Sequence, residues 1–453
     1  MSNAIPIKHL PVIGYDPDVS IYDRTFPIPL FDNLKPWEHK TGWRDEQMAG
    51  KVAVALNATL NPTTTFKVSG PDALRFLKDT CVNSFENFPI GGGKHAILCN
   101  DEGLVMVDGV LLRLAEDEFI TYWLDPYIGY ALQKGDYDAV GEDLTGQVFL
   151  FQITGPNSLA TAEKATGEDL SDIRFMRHRE TTIAGHPVRI VRMGMSGTLA
   201  YEVHGAAEDG PDVYAAIEAA GADFGLRKLG VHSYMMNHTE AGFPQAYYHF
   251  PYPWFEDEGF AGYLAQGGGG LSQAFVGSMG PDRALRFRTP FELGWGKMVK
   301  FDHDFVGREA LEREAANPRR TMVTLLWNVD DILDVHRSQF EEGEHYAPID
   351  TPIHYQWTAP YGTNTFWADQ VLKDDEVVGI SSGRAYSYYS RDMISLCSID
   401  IAQSELGTEV EVLWGEPGTR QKKIRATVVS FPYLADNRNQ SVDAASVARA
   451  ALV

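Results

Sequence analysis

Cysteine is scarce: Cys81, Cys99 and Cys397 are the only three in 453 residues. They form no CxxC pair and no zinc-type spacing, so neither a disulfide framework nor a structural metal site is indicated. That usage fits a reducing, cytoplasmic setting. Basic residues are few as well, with 39 Lys plus Arg against 62 Asp plus Glu and a net charge of −23. Affinity for a phosphate backbone comes from basic residues displacing counterions, so a nucleic-acid partner is disfavoured. Long apolar runs are missing too; none approaches the roughly 20 residues a membrane helix needs. Met1 to Tyr15 carries one Lys and no apolar core of a signal peptide. Several catalytic signatures are absent. Gly91-Gly92-Gly93-Lys94 is followed by His95, where a phosphate loop needs Ser or Thr. No GxGxxG, HExxH or GxSxG pattern occurs, and the 13 histidines show no metal-ligand spacing, so no metal is expected. His232 and His238 read as structural or substrate-facing. What remains is an ordinary soluble composition, 44% hydrophobic and 22% charged, in a chain long enough for about two to four domains.

The first part, to about Gln47, is rich in Pro, Asp and aromatics and weakly periodic; it reads as a wrap over the body of the protein, placed at 1–50. From Thr64 the pattern is regular. Thr65-Phe66-Lys67-Val68 alternates as a strand does. Ser69-Gly70-Pro71-Asp72 then opens a helix whose apolar stripe is Ala73, Leu74, Phe76 and Leu77. Strands over 95–99 and 104–114, joined by the turn Asn100-Asp101-Glu102-Gly103, give a β-hairpin rather than a nucleotide-binding strand–loop–helix. A similar unit recurs, with a strand over 148–153, the turn Gly155-Pro156-Asn157-Ser158 and a helix over 159–164. Two strand–Gly-Pro–helix units suggest two related α+β halves. Helical patterns return over 212–220 and 234–240, and 266–270 reads as a glycine loop. A boundary near 317–320 precedes strand-like runs over 322–327, 377–381, 394–399, 410–413 and 424–430. These describe an all-β barrel or jelly-roll domain over 317–453, after a two-part domain over 51–316.

Seven fragments, in order over about 66–400, resemble the tetrahydrofolate-dependent one-carbon transferases typified by the glycine-cleavage T-protein. They are Lys67 to Ala73; Leu98 to Gly103 with Val107-Asp108-Gly109; Phe151 to Pro156; Gly194 to Gly197 with Ala200-Tyr201-Glu202-Val203; Thr239-Glu240-Ala241-Gly242; Leu293-Gly294-Trp295 with Phe305 to Leu311; and Val378 to Gly383. The resemblance implies an α+β, three-lobed ring with tetrahydrofolate in its centre. Glu202 matches the family's pterin-binding Glu, and a carboxylate suits the donor pair a reduced pterin presents. Gln152 would serve the pterin edge, and Phe175 and Phe243 would stack on flat rings. Asp108 matches the family's carboxylate near the reacting folate nitrogen, where it would steer charge or a proton. Each also has a bland reading: surface carboxylate, core-edge amide, core phenylalanine or hairpin-turn Asp.

Departures point to a branch. Tyr234 and His238 stand where the T-protein has arginines, which argues against glycine cleavage. Trp43 to Gln47, the N-terminal wrap and Ser233-Tyr234 look most like the aryl O-demethylases, such as vanillate and syringate O-demethylase. In that branch a Tyr at the Tyr234 position lies in the active site. Its hydroxyl, with an acidity near that of the product phenol, would serve the leaving phenolate, with Tyr247 as the other candidate. The aromatic run Tyr247 to Trp254, including His249, suits a flat substrate. Asn57 and Leu60 fall where the branch carries a "QSHH"-like run, and Leu60 in place of His suggests a neutral ether. A related branch opens methylenedioxyphenyl lignans of the sesamin type, passing methylene to the same cofactor. The expected products are a phenol or catechol and 5-methyl- or 5,10-methylene-tetrahydrofolate. An amine or sulfonium demethylase and a non-catalytic folate-binding protein remain open, and the sequence is silent on oligomeric state.

Overall fold

The structure, a computed structural model, describes residues 25–28, 31–36, 41–57, 63–266, 273–280, 282–349, 364–434 and 439–451. Leu60 and the glycines of the 266–270 run lie outside the described residues.

The two Gly-Pro signals mark equivalent corners. The strand Thr65–Ser69 turns at Gly70 into the helix Ala73–Thr80, and the strand Val148–Thr154 turns at Gly155 into the helix Ser158–Thr166. Both glycines lie in the left-handed region, at φ 127° and 119°. A Cβ on Gly70 would stand 2.7 Å from Asp138 O, and one on Gly155 2.6 Å from Ala53 O. Only glycine meets both demands.

Each corner feeds its own sheet. The first sheet has five antiparallel strands in the order Gly93–Cys99, Val105–Ala115, Glu118–Tyr122, Thr65–Ser69, Val140–Asp143. The second has six, in the order His178–Ile183, His186–Val191, Ala200–Ala206, Val148–Thr154, Val54–Asn57, Leu226–Leu229, its last pair parallel. Alternation sets the faces. Phe149, Phe151 and Ile153 enter the core of the second unit with Tyr201 and Val203. Leu150, Gln152 and Glu202 therefore face the other way, toward the first unit, and line a cavity there.

The third lobe is a closed six-stranded antiparallel barrel. Asn364–Lys373, Glu376–Ser387, Asp392–Asp400, Arg320–Trp327, Lys422–Val429 and Glu409–Trp414 follow one another, and the last pairs with the first. The closed barrel bears out the barrel reading of this domain, and two further elements pack on it. A helix, Val329–Ser338, packs on the Lys422–Val429 strand, its first turn capped by Asn328 Oδ1 accepting from Asp331 N. A strand from before residue 317, Gln273–Val276, adds in parallel to Asn364–Lys373.

Of the expected wrap over 1–50, residues 1–24, 29–30 and 37–40 lie outside the described residues, and its last part is internal. Gly42–Val52 is a helix with Glu46 and Gln47 wholly buried. Glu46 Oε2 accepts from Gly230 N at 2.9 Å and lies 3.0 Å from Ser233 Oγ, so it caps the helix Val231–Ala241. Gln47 Nε2 donates to Glu240 at 2.7 Å, and Lys51 pairs with the same carboxylate at 2.9 Å. The segment is an internal prop for the helix that carries Tyr234.

Candidate active site

A cavity of about 500 Å³ lies where the two α+β units meet. Its lining is largely apolar, including Val110, Leu150, Met193 and Phe243, with a few polar groups between. The barrel strands do not reach it. They back its roof instead: Thr239 Oγ1 donates to Gly383 O at 2.7 Å and Tyr248 Oη to Arg384 O at 3.2 Å.

Each unit presents one clamped carboxylate. On the second sheet Glu202 sits directly across from Gln152. Its Oε1 accepts from Gln152 Nε2 at 3.2 Å and its Oε2 from His204 Nε2 at 3.0 Å, all three side chains buried. On the first sheet Asp108 Oδ2 pairs with His95 Nε2 at 2.8 Å, and Oδ1 accepts from the Tyr252 hydroxyl at 2.6 Å. Tyr252 Oη in turn accepts from Asp108 N at 3.1 Å. Burial, with the Asp108 charge beside it, pushes the Tyr252 phenol well above its usual range.

Tyr234 and Tyr247 also line the cavity. Tyr234 rides on the Val231–Ala241 helix, its ring 4.5 Å from that of His238. Tyr247 holds φ at 62°, a left-handed conformation uncommon for a non-glycine residue, closed by its N–H donating to Phe250 O at 2.7 Å. Burial raises both phenols above the ordinary tyrosine range, and Glu202 adds to the rise at Tyr234. The expectation of acidity matched to a product phenol is therefore corrected: burial holds both hydroxyls in the protonated form.

Of the other residues singled out in the sequence, Asn57, Gln152, Phe175 and Phe243 line the same cavity, Phe175 at its rim with 37% exposure. His249 does not. Its Nδ1 accepts from Gln245 N at 2.9 Å, its Nε2 meets Thr239 Oγ1 at 3.1 Å, and Gly383 packs against its ring. With both nitrogens used internally, His249 ties loop, helix and barrel together rather than touching substrate. The aromatic run is likewise mostly wall: Tyr248, Phe250, Tyr252 and Trp254 are buried, and Trp254 Nε1 donates to Met106 O.

A family model described as the GCVT N-terminal domain matches residues 22–248. Sesamin methylene transferase of Sinomonas sp. (strain No.22) is 46% identical, the match covering 96% of this chain and 98% of that protein. Syringate O-demethylase of Sphingobium sp. (strain NBRC 103272 / SYK-6) is 33% identical over 89% and 91%. The chain belongs to the GCVT aminomethyltransferase family. Its fold is that of the glycine cleavage system aminomethyltransferase T from Bartonella henselae, with a TM-score of 0.67 at 16% identity over 92% of this chain and 96% of that one.

In this aminomethyltransferase-family chain the cavity residues that the sequence reading did not single out include His95, Tyr122, Asp125 and, named only as part of the aromatic run, Tyr252. Alternation along the hairpin could have found His95, since it puts 95, 97 and 99 on one face opposite 108 and 110. Tyr252 was hidden inside an aromatic run, and its bond to Asp108 spans 144 positions of sequence. Tyr122 is buried with a hydroxyl that has no protein partner, its ring 4.6 Å from His204. Asp125, its carboxyl pushed up to about 7 by burial and by the Asp143 charge, carries no motif at all. Among the described residues no helix is long and apolar enough to cross a membrane, and no group of three or more His, Cys, Asp or Glu is placed to hold a metal.

Proposed function

We propose that this chain is a tetrahydrofolate-dependent one-carbon transferase that demethylates a methoxylated aromatic compound, giving a phenol or catechol and 5-methyl-tetrahydrofolate. The observation that carries the reading is the pair of clamped carboxylates, one from each α+β unit, opening into one largely apolar cavity that the Tyr234 and Tyr247 side chains also line. The two near-full-length relatives support it, being named for removal of a methyl from oxygen and for transfer of a methylene.

The residues fit a reduced pterin. Glu202 offers carboxylate lone pairs to an N–H and amine donor pair, and Gln152 stands beside it. The buried, unpartnered Tyr122 hydroxyl needs a polar partner, which a heterocycle in this cavity would provide. Phe243 and Phe175 would cover the flat rings. Bound tetrahydrofolate supplies the nucleophilic nitrogen that takes up the carbon.

The chain's own groups do the rest. Asp108 holds the proton set free at that nitrogen. As the carbon–oxygen bond of the ether breaks, its electron pair stays on the aryl oxygen. The Tyr234 and Tyr247 hydroxyls donate to that oxygen, and the apolar walls keep water from weakening those bonds.

A second reading has its own support: the 46% identical relative is named sesamin methylene transferase. Ring opening of a methylenedioxyphenyl ether would use the same groups, leave a catechol and pass a methylene. One experiment tests both. Purified protein with tetrahydrofolate is given vanillate, syringate, sesamin, dimethylglycine or a sulfonium compound, and the folate product is identified by mass. Methyl-folate from a methoxy compound supports the first reading and methylene-folate from sesamin the second; product from the amine or sulfonium alone overturns both. Tyr234→Phe is expected to lower kcat by about 10²-fold with folate affinity retained. Unchanged turnover would leave Tyr247 as the donor.

A further inference from the structure

Asp108 is held from two directions by donors on separate elements. His95 reaches it from the neighbouring hairpin strand at 2.8 Å, and Tyr252 from the aromatic loop at 2.6 Å. Neither donor is free to swing. The His95 ring is fixed edge-on to Trp295 at 4.7 Å and tilted against Phe243 at 5.2 Å. Tyr252 stacks on Trp254 at 5.1 Å, and Trp254 is bonded to the backbone of the Asp108 strand. His95 Nδ1 is buried without a partner among the described residues, while Nε2 faces the carboxylate and carries the proton of that hydrogen bond. Each carboxylate oxygen thus spends one lone pair in the wall and keeps the other for the cavity.

We propose that His95 and Tyr252 are positioning residues: they fix the rotation of the Asp108 carboxylate so that its free lone pairs point into the cavity. The use made of Asp108 rests on the functional reading above; the clamp itself does not. A carboxylate in an apolar wall with one donor removed turns toward the remaining one, and displacement of a reacting group by about 1 Å costs about 10²-fold in rate.

The test compares His95→Leu, His95→Gln and Tyr252→Phe, alone and with Asp108→Asn. His95→Leu and Tyr252→Phe are expected to lower kcat at least about tenfold, with KM and calorimetric tetrahydrofolate affinity within about threefold of wild type. His95→Gln, whose amide nitrogen reaches the same oxygen, restores most of the rate. In the Asp108→Asn background neither removal lowers kcat further. In the free protein, nitrogen NMR of the imidazoles shows His95 protonated at Nε2, a preference lost in Asp108→Asn. Additive losses, no rescue by Gln, or a tautomer indifferent to Asp108 would each overturn the proposal. If the wild type takes a carbon from no ether, the functional reading falls, while the tautomer measurement still decides the clamp.

Discussion

Glu202 and Gln152 form a polar pair whose geometry follows from strand register alone, and that makes the pair a sharp probe of ligand binding. Glu202→Gln replaces an acceptor oxygen with an amide that cannot accept from both neighbours. A hydrogen bond to a charged group contributes about 1.5–3 kcal/mol, so tetrahydrofolate affinity should fall by about 10- to 100-fold in calorimetry. The melting temperature should change little, because the strand pairing that holds Gln152, Glu202 and His204 is backbone-made and is not touched by the substitution. Asp125 gives a second probe. Its carboxyl is raised from 3.8 to about 7 in the fold, first by burial and then by Asp143. The unfolded chain therefore ionises Asp125 first, and stability drains away as pH rises from about 4 to about 7. Asp125→Asn, which removes this drain, should raise the melting temperature at pH 8 and not at pH 4. An equal gain at both pH values would show that the carboxyl does not titrate as described.

At the scale of elements, the two Gly-Pro corners were legible because a strand-to-helix turn at positive φ leaves a specific residue signature. Gly70→Ala and Gly155→Ala should each destabilise by about 2 kcal/mol or more in urea unfolding, since the added Cβ meets backbone carbonyl oxygens at 2.7 and 2.6 Å. A neutral effect at both would mean the corners relax freely. The helix Gly42–Val52 was not legible, for an equally physical reason. Periodicity counts apolar residues, and this helix buries Glu46 and Gln47, polar groups that bond to the start and the end of the Tyr234 helix. The helix Val329–Ser338 was missed for a related reason. In that helix Leu333 is exposed and Asp331 is buried against Arg425, so these positions depart from the expected pattern although Val335 is buried.

Across the whole molecule, the C-terminal residues are bound back onto the second α+β unit. Arg449 Nε lies 2.8 Å from both oxygens of Glu163, a carboxylate with 0% exposure 286 positions earlier. Asn439 Oδ1 and O accept from Arg192 at 3.2 and 2.8 Å, which sets Asn439 on the cavity rim. Arg449→Met should destabilise by about 3 kcal/mol because it strands a buried charge, and adding Glu163→Gln should recover most of that loss. Thermal unfolding of the two single variants and the double variant checks it; simple additivity would deny the coupling.

The sequence by itself determined the two α+β units, the β-rich third lobe, the family resemblance, and eight of the side chains that line the cavity, among them Glu202, Gln152, Asp108 and Tyr234. Those features rest on local rules: alternation along strands, turn chemistry at Gly-Pro, and motif fragments in fixed order. Only the tertiary structure decided that His95 and Tyr252 clamp Asp108, that His249 is a tie within the wall, and that Glu46 supports Tyr234. Tyr252 reaches Asp108 across 144 positions and Glu46 reaches Ser233 across 187, each through one hydrogen bond that no periodicity or spacing encodes.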